Sequence, residues 1–286
     1  MKTVWLTDKS IASGSAMLLG GFDGLHLGHR QLLSRAKTYN LPVGVMTIVG
    51  GKDDGLFTFA ERESIFRANG VDFVFELTFS EIKDLSPSAF LELLQKEFAP
   101  KAFICGEDFR FGAGASGTPK WIEEWGQVRV EVLSLVEIAG EKVSSRNVKS
   151  LLQDGKIEEA NLRLGERFFL MGKVEKDRQV GRTLGFPTAN IAYPQGKFAL
   201  KKGVYETRVF VDEKEYKGIT NYGARPTFEN ESVWTETYLD NFDGNLYGKE
   251  LKVEFVRYMR EITKFGSAEE LKAQLTKDIQ AVKKDD

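Results

Sequence analysis

His26 and His29 are the chain's two histidines, and both lie in one glycine-rich stretch, Gly20-Gly21-Phe22-Asp23-Gly24-Leu25-His26-Leu27-Gly28-His29. Imidazoles three residues apart around a glycine can donate hydrogen bonds to phosphate oxygens without acting as nucleophiles. That arrangement suits transfer of a nucleotidyl group from ATP. An oxygen nucleophile attacks the α-phosphorus, pyrophosphate leaves, and the protein chiefly aligns the reactants and stabilises charge on non-bridging oxygens. No Gly-Lys-Ser/Thr follows, so the loop is not a Walker P-loop. A metal site here would need further ligands, and the chain has no third histidine.

Such a loop must be held by a strand and a helix. The apolar run Ala16–Leu19 predicts a buried strand over 16–20, and the spacing of Leu32, Leu33 and Ala36 predicts a helix over 26–38. A helix N-terminus after a glycine turn presents backbone N–H groups and a favourable dipole to anions. Residues 1–8 predict an edge strand. Strands are also expected at 42–49, 71–77 and 102–105, and helices at 58–69, with a Thr58/Glu61 capping box, and at 87–97. Alternating strands and helices imply a mostly parallel sheet. Residues 150–164 predict one or two short helices. Strand-like runs follow at 168–175, 204–211, 215–221, 233–239 and 250–258, without intervening helices, and imply an antiparallel sandwich or barrel. Residues 267–283 predict a last helix with Ser267 as cap and Glu270 at the capping-box position. The division is therefore 1–157 for an α/β domain and 163–286 for an all-β domain.

The 286 residues allow two domains of ordinary size, and 42% hydrophobic with 29% charged residues reads as soluble and globular. A formal net charge of −2 carries no broad basic surface, so no nucleic-acid partner is expected and phosphate should be met at local sites. The single cysteine, Cys105, excludes an intrachain disulfide and reads as a buried small hydrophobe. The N-terminus does not read as a signal peptide and no run is long enough to span a membrane, which makes the cytoplasm the expected location.

The string Gly21-Phe22-Asp23-Gly24-Leu25-His26-Leu27-Gly28-His29 resembles the signature of the bacterial bifunctional riboflavin kinase/FMN adenylyltransferases, also called FAD synthetases. Gly106-Glu107-Asp108-Phe109-Arg110-Phe111-Gly112 and Ser144-Ser145 match further family segments. In the second half, Gly181-Arg182-Thr183-Leu184-Gly185-Phe186-Pro187-Thr188-Ala189-Asn190 closely resembles the riboflavin kinase signature. Asn221–Thr227, Thr235–Phe242 and the tail residues Arg260 and Phe265 continue the match. The resemblance runs in order over nearly the whole chain.

The resemblance implies a Rossmann-like nucleotidyltransferase domain followed by a riboflavin-kinase-like barrel with a C-terminal helix. It implies that His26 and His29 hold ATP phosphates, that Gly21, Phe22, Asp23, Gly24, Gly28, Ser144 and Ser145 form the ATP side, and that Asp108, Phe109, Arg110 and Phe111 line the flavin side. In the second domain it implies ATP at Gly181, Thr188 and Asn190, with Glu236 as general base toward the riboflavin 5′-hydroxyl and Arg260 at the flavin. Thr188 and Asn190, two residues apart in extended chain, offer hard oxygens to Mg²⁺. The implied substrates and products are ATP, riboflavin, FMN and FAD.

Four stretches depart from the family pattern. Thr47-Ile48-Val49-Gly50-Gly51 replaces Thr-Phe-x-Pro-His-Pro, and Arg146-Asn147-Val148-Lys149 replaces Thr-Arg-Ile-Arg. Lys176-Asp177-Arg178-Gln179-Val180 lacks a His-Gly pair, and Tyr238 stands for His. Three readings follow: both activities, one activity beside a decayed partner domain, or a non-catalytic flavin- or nucleotide-binding regulator. Retention of His26, His29 and Glu236 together argues against the third, since pure binding would not need the base.

Overall fold

The computed structural model describes residues 2–7, 14–51, 54–176, 186–226 and 231–283. The chain forms two compact units, residues 1–147 and 148–286.

Unit 1 is an α/β unit. Its strands are β1 (Lys2–Trp5), β2 (Ala16–Leu19), β3 (Val43–Val49), β4 (Phe73–Thr78), β5 (Ala102–Gly106) and β6 (Arg129–Leu133). They form one sheet in the order β1-β4-β3-β2-β5-β6, parallel throughout except for the antiparallel edge strand β1. Its helices are α1 (Leu27–Lys37), α2 (Phe59–Ala68), α3 (Phe79–Ile82), α4 (Pro87–Phe98) and α5 (Pro119–Trp125), and a small hairpin pairs β7 (Glu137–Ile138) with β8 (Glu141–Lys142). The expected capping box is present: Thr58 accepts from the Glu61 N–H, and Glu61 reaches back to the Thr58 N–H. From β2 the chain winds outward to β3 and β4, then returns to β5 on the other side. Sheets of this kind bind ligands at the carboxyl ends of the strands flanking that reversal. Here those ends are Leu19-Gly20 and Cys105-Gly106, in register side by side.

Helix α6 (Ser145–Asp154) begins in unit 1 and ends in unit 2, and α7 (Ile157–Leu164) follows. Unit 2 then consists of β9 (Phe169–Lys173), β10 (Thr188–Ala192), β11 (Gly203–Val211), β12 (Lys214–Pro226), β13 (Glu231–Leu239), β14 (Glu250–Arg260) and helix α8 (Ala268–Lys283). The strands are antiparallel in the order β10-β13-β12-β11-β14-β9. A bridge between Glu175 and Asn190 joins the two ends, with the Glu175 N–H donating to the Asn190 carbonyl at 2.8 Å. That bridge makes the sheet a nearly closed barrel. One face carries a buried ladder of Thr207, Thr220 and Thr237 hydroxyls linked at 2.9 Å each. The opposite face carries Val204 and Ile219, which pack against Met259, Ile279 and Val282; the last two belong to α8. Ser267 caps α8 by accepting from the Glu270 N–H, while the Glu270 carboxylate accepts from Gly266 rather than from the cap residue.

Sequence patterning alone places no strand at β6 or β10 and no helix at α5. β10 is short and half polar, and β6 has no buried residue to mark it.

Where β9 approaches β10, a Cβ on Gly172 would stand 2.3 Å from Ile191 Cγ2. Gly172→Ala should therefore destabilise the protein by about 1–3 kcal/mol, read as a lowered denaturation midpoint for unit 2 at unchanged slope.

Candidate functional sites

In unit 1 the loop after β2 turns at Gly24, whose φ of +130° suits glycine and whose Cβ would meet the Phe57 ring at 2.9 Å. His26 is the N-cap of α1, and its Nδ1 accepts from the His29 N–H at 3.2 Å. His29 Nδ1 lies 2.8 Å from the Gly24 carbonyl, which can only accept, so Nδ1 carries the proton. His26 must then carry its proton on Nε2, and His29 presents an unprotonated Nε2. The two rings stack 3.6 Å apart, and Phe22 lies against His29 at 4.1 Å. Burial lowers the His26 pKa to about 4, with nearby Lys142 acting in the same direction. Burial and the neighbouring His26 push His29 well below the usual imidazole range. Both rings are neutral at physiological pH.

A cavity of about 270 Å³ opens between the ends of β2 and β5. Gly21, His26, Gly28, His29 and Ser144 line it, together with Asp108, Phe109 and Arg110. Gly21 leaves open space where a side chain would stand, and a Cβ on Gly28 would press on the His26 ring at 3.2 Å. The remaining predicted residues of this site stand behind the wall. Phe22 is buried beneath His29. Both carboxylate oxygens of Asp23 accept from the Leu56 N–H at 2.9 Å, which ties the 55–57 segment to the turn. Phe111 is buried and stacks on Phe109 at 5.4 Å. Ser145 is the first residue of α6, and Ser144 Oγ accepts from the Asn147 N–H.

Lys142, on β8, was not singled out from the sequence; it lines the cavity and pairs with Asp108. Arg110 Nη1 donates to the carbonyls of Glu107 and Phe109. At the first departure, buried Thr47 accepts from Arg62 Nη1 at 3.0 Å and Ile48 joins the cavity wall. Lys149 belongs to unit 2, where its ammonium lies over the Phe198 ring.

In unit 2, Gly181 and the rest of 177–185 lie outside the described residues. Two cavities flank Thr188. One, of about 500 Å³, is lined by Pro187, Thr188, Asn190, Asp243, Asn245 and Tyr247 among others. The other, of about 170 Å³, is lined by Thr188, Asn221, Glu236, Tyr238, Arg260 and Phe265 with a set of apolar side chains. Strand register puts Asn190 opposite Glu236 and Glu236 opposite Asn221, while Thr188 faces Tyr238. Directly opposed residues share one face of a sheet. Asn190 Nδ2 lies 3.4 Å from the Thr188 hydroxyl. Arg260 lines the smaller cavity and also grips buried Asp278 of α8 through Nε and Nη2, the shorter contact 2.7 Å. Asp278 sits in the apolar stripe Leu271, Leu275, Val282, and that stripe was the available signal for it.

Residues 8–147 match the FAD synthetase family and residues 164–285 the riboflavin kinase family. The bifunctional riboflavin kinase/FMN adenylyltransferase of Escherichia coli K12 is 32% identical over 93% of this chain and 90% of its own. That of Buchnera aphidicola from Schizaphis graminum is 31% identical over 96% and 95%. The chain belongs to this bifunctional family. Its members' names assign them to flavin cofactor biosynthesis, with one match per unit. A solved Streptococcus pneumoniae structure described as a macrolide-efflux protein superposes with a TM-score of 0.86 at 28% identity, covering 95% of this chain and 94% of that one. Among the described residues of the present chain no helix is long and apolar enough to cross a membrane.

His26 is neutral when folded but has its ordinary basicity when unfolded, so protons favour the unfolded chain. Stability from this residue is present above pH 6.5 and is lost as pH falls toward about 4. Against His26→Asn, which keeps a capping oxygen and does not titrate, the native chain should lose on the order of 2–3 kcal/mol between pH 7 and pH 4.5, read by chemical denaturation.

Proposed function

We propose that unit 2 phosphorylates riboflavin to FMN and that unit 1 adenylylates FMN to FAD with release of pyrophosphate. The observation that carries the kinase assignment is the place of Thr188 in the walls of both cavities, with Glu236 beside Asn190 on the same face. ATP would occupy the larger, more polar cavity and the flavin the smaller, apolar one. The γ-phosphorus and the riboflavin 5′-hydroxyl would meet beside Thr188. Glu236 takes the hydroxyl proton as the oxygen attacks. Arg260, pinned by Asp278, closes the flavin side.

The Thr188 hydroxyl and the Asn190 amide oxygen are hard, uncharged donors. Among the described residues no cluster of three acidic, His or Cys side chains could hold a metal alone. Two such donors fit Mg²⁺ that arrives with ATP, since that ion keeps waters and substrate phosphates as its other ligands. When bound it neutralises charge on the transferred phosphoryl group.

In unit 1 the cavity lies at the sheet reversal, and the α1 N-terminus and two imidazoles face it. His26 Nε2–H donates to the ATP phosphates as they enter. His29, anchored by Gly24, presents its other nitrogen and gains donor capacity when phosphate charge raises its proton affinity. Asp108, Phe109 and Arg110 hold the flavin side. Both steps draw on ATP, which supports a cytoplasmic enzyme acting on small molecules.

Purified protein with Mg²⁺-ATP and either riboflavin or FMN tests the pair. His29→Ala should abolish FAD formation from FMN and leave FMN formation from riboflavin within about twofold; Glu236→Ala should do the reverse, with a loss on the order of 10²–10⁴-fold. Loss of both activities in one folded variant would refute the two-site assignment, and no turnover by the native chain with either flavin would refute both activities.

A further inference from the structure

Asn221 takes no part in the chemistry above, yet it lies beside the base. It stands opposite Glu236 on the neighbouring strand and lines the smaller cavity of unit 2. Its Oδ1 is buried without a hydrogen-bond partner among the described residues. A buried acceptor with no donor is costly and calls for an explanation, of which a role toward a ligand is one. The contrast with Asn190 is direct: that residue occupies the mirror position on the other side of Glu236, and its amide is engaged with Thr188.

The row across the sheet runs Asn190, Glu236, Asn221, Val204, Arg260 on β10, β13, β12, β11 and β14. It passes from the ATP side through the base to the flavin side. Neighbouring strands lie about 4.8 Å apart, so a side chain beside Glu236 on the next strand is within reach of the hydroxyls adjoining one held at Glu236. A flavin whose terminal hydroxyl meets Glu236 therefore lays the next part of its side chain along this row. Most of the other cavity walls here are apolar: Phe186, Val204, Ile219, Ile262, Phe265 and Leu271. They suit the isoalloxazine ring and offer the polyol nothing.

We infer that Asn221 is the positioning and specificity residue for the ribityl chain. Its carboxamide accepts from a ribityl hydroxyl next to the reacting one and so fixes the 5′-oxygen at Glu236. The inference rests on the kinase reading of unit 2. A site built to receive a hydroxyl discriminates strongly against ligands that lack it, because its own polar group is then left unpaired.

Lumiflavin separates this role from a structural one, since it has the same ring with a methyl group in place of the ribityl chain. Binding of riboflavin and of lumiflavin would be measured by flavin fluorescence for the native chain, Asn221→Leu and Asn221→Ser, together with KM for riboflavin and for ATP. Asn221→Leu should weaken riboflavin roughly 10- to 100-fold and leave lumiflavin and the ATP KM within twofold. Asn221→Ser keeps an oxygen acceptor and should recover most of the riboflavin affinity. Should the leucine variant not fold, Asn221→Ala against Asn221→Ser reads the same riboflavin-to-lumiflavin ratio. Equal loss of both flavins, or no loss of riboflavin, would overturn the role of Asn221 while leaving the kinase assignment standing. Failure of the native chain to phosphorylate riboflavin would instead remove the reading on which it rests.

Discussion

Strand register is the constraint on which both sites depend. In unit 1, β2 and β5 run parallel with Leu19 beside Cys105, so they end together and the loops that follow open onto one cavity. In unit 2 the register of β10, β13 and β12 sets Asn190, Glu236 and Asn221 in one row. Side chains alternate between faces with a period of two. A slip of one residue would turn Glu236 into the face that carries the threonine ladder. Buried Thr220 and Thr237, hydrogen-bonded to each other, hold the register from behind the very residues it positions. The closing bridge from Glu175 to Asn190 adds a fixed end to the same row.

On the proposed reading, unit 1 meets a polyanion with a wall whose charged side chains, Lys142, Arg110 and Asp108, leave one net positive charge. The chain's net charge is −2, and the cations on the cavity wall are engaged locally, Lys142 by Asp108 and Arg110 by backbone carbonyls. Beside these charges the cavity is faced by a helix N-terminus, bare glycine backbone and two uncharged imidazoles. Such donors are oriented before the ligand arrives and cost little to reorganise, which is what stabilisation of a developing charge requires. The tautomers follow from the same geometry: a carbonyl fixes His29 and a backbone N–H fixes His26, so neither ring can rotate without losing its partner.

Much of this was legible in the sequence because it rests on local rules. The buried run Ala16–Leu19, the glycine turn and the Thr58/Glu61 cap each carry their own signal, and the structure forms them within a residue or two of the expected ends. Thr188, Asn190 and Glu236 were found by motif, and the paired strands bring them to adjoining cavities. What stayed hidden depends on pairing between distant segments. Asn221 opens a matched segment, but its place beside Glu236 shows only when β12 is laid beside β13. Lys142 sits in a two-residue strand too short for periodicity, and its partner Asp108 is 34 positions away. Asp23 and Phe22 belong to the signature string, yet the first braces a loop and the second a ring. A motif marks which residues a site requires and says less about which of them face the cavity.

The altered stretch at the end of β3 lies in front of a braced layer. Thr47 is fully buried and receives Arg62, so this position works behind the wall. Burial opposes the Arg62 charge, while Asp23 and Glu76 favour it. Asp23 is also the residue that ties the 55–57 segment to the histidine turn. The charges of this region thus lie one layer back, where they fix backbone, and the layer in front can change from the family's Phe to Ile48 without disturbing them. Loss of a polar group at the front removes one contact with a ligand; loss of Asp23 or Arg62 would leave a buried charge uncompensated, which is the larger penalty. The supporting layer therefore constrains the turn that holds His26 and His29 more tightly than the wall beside them does.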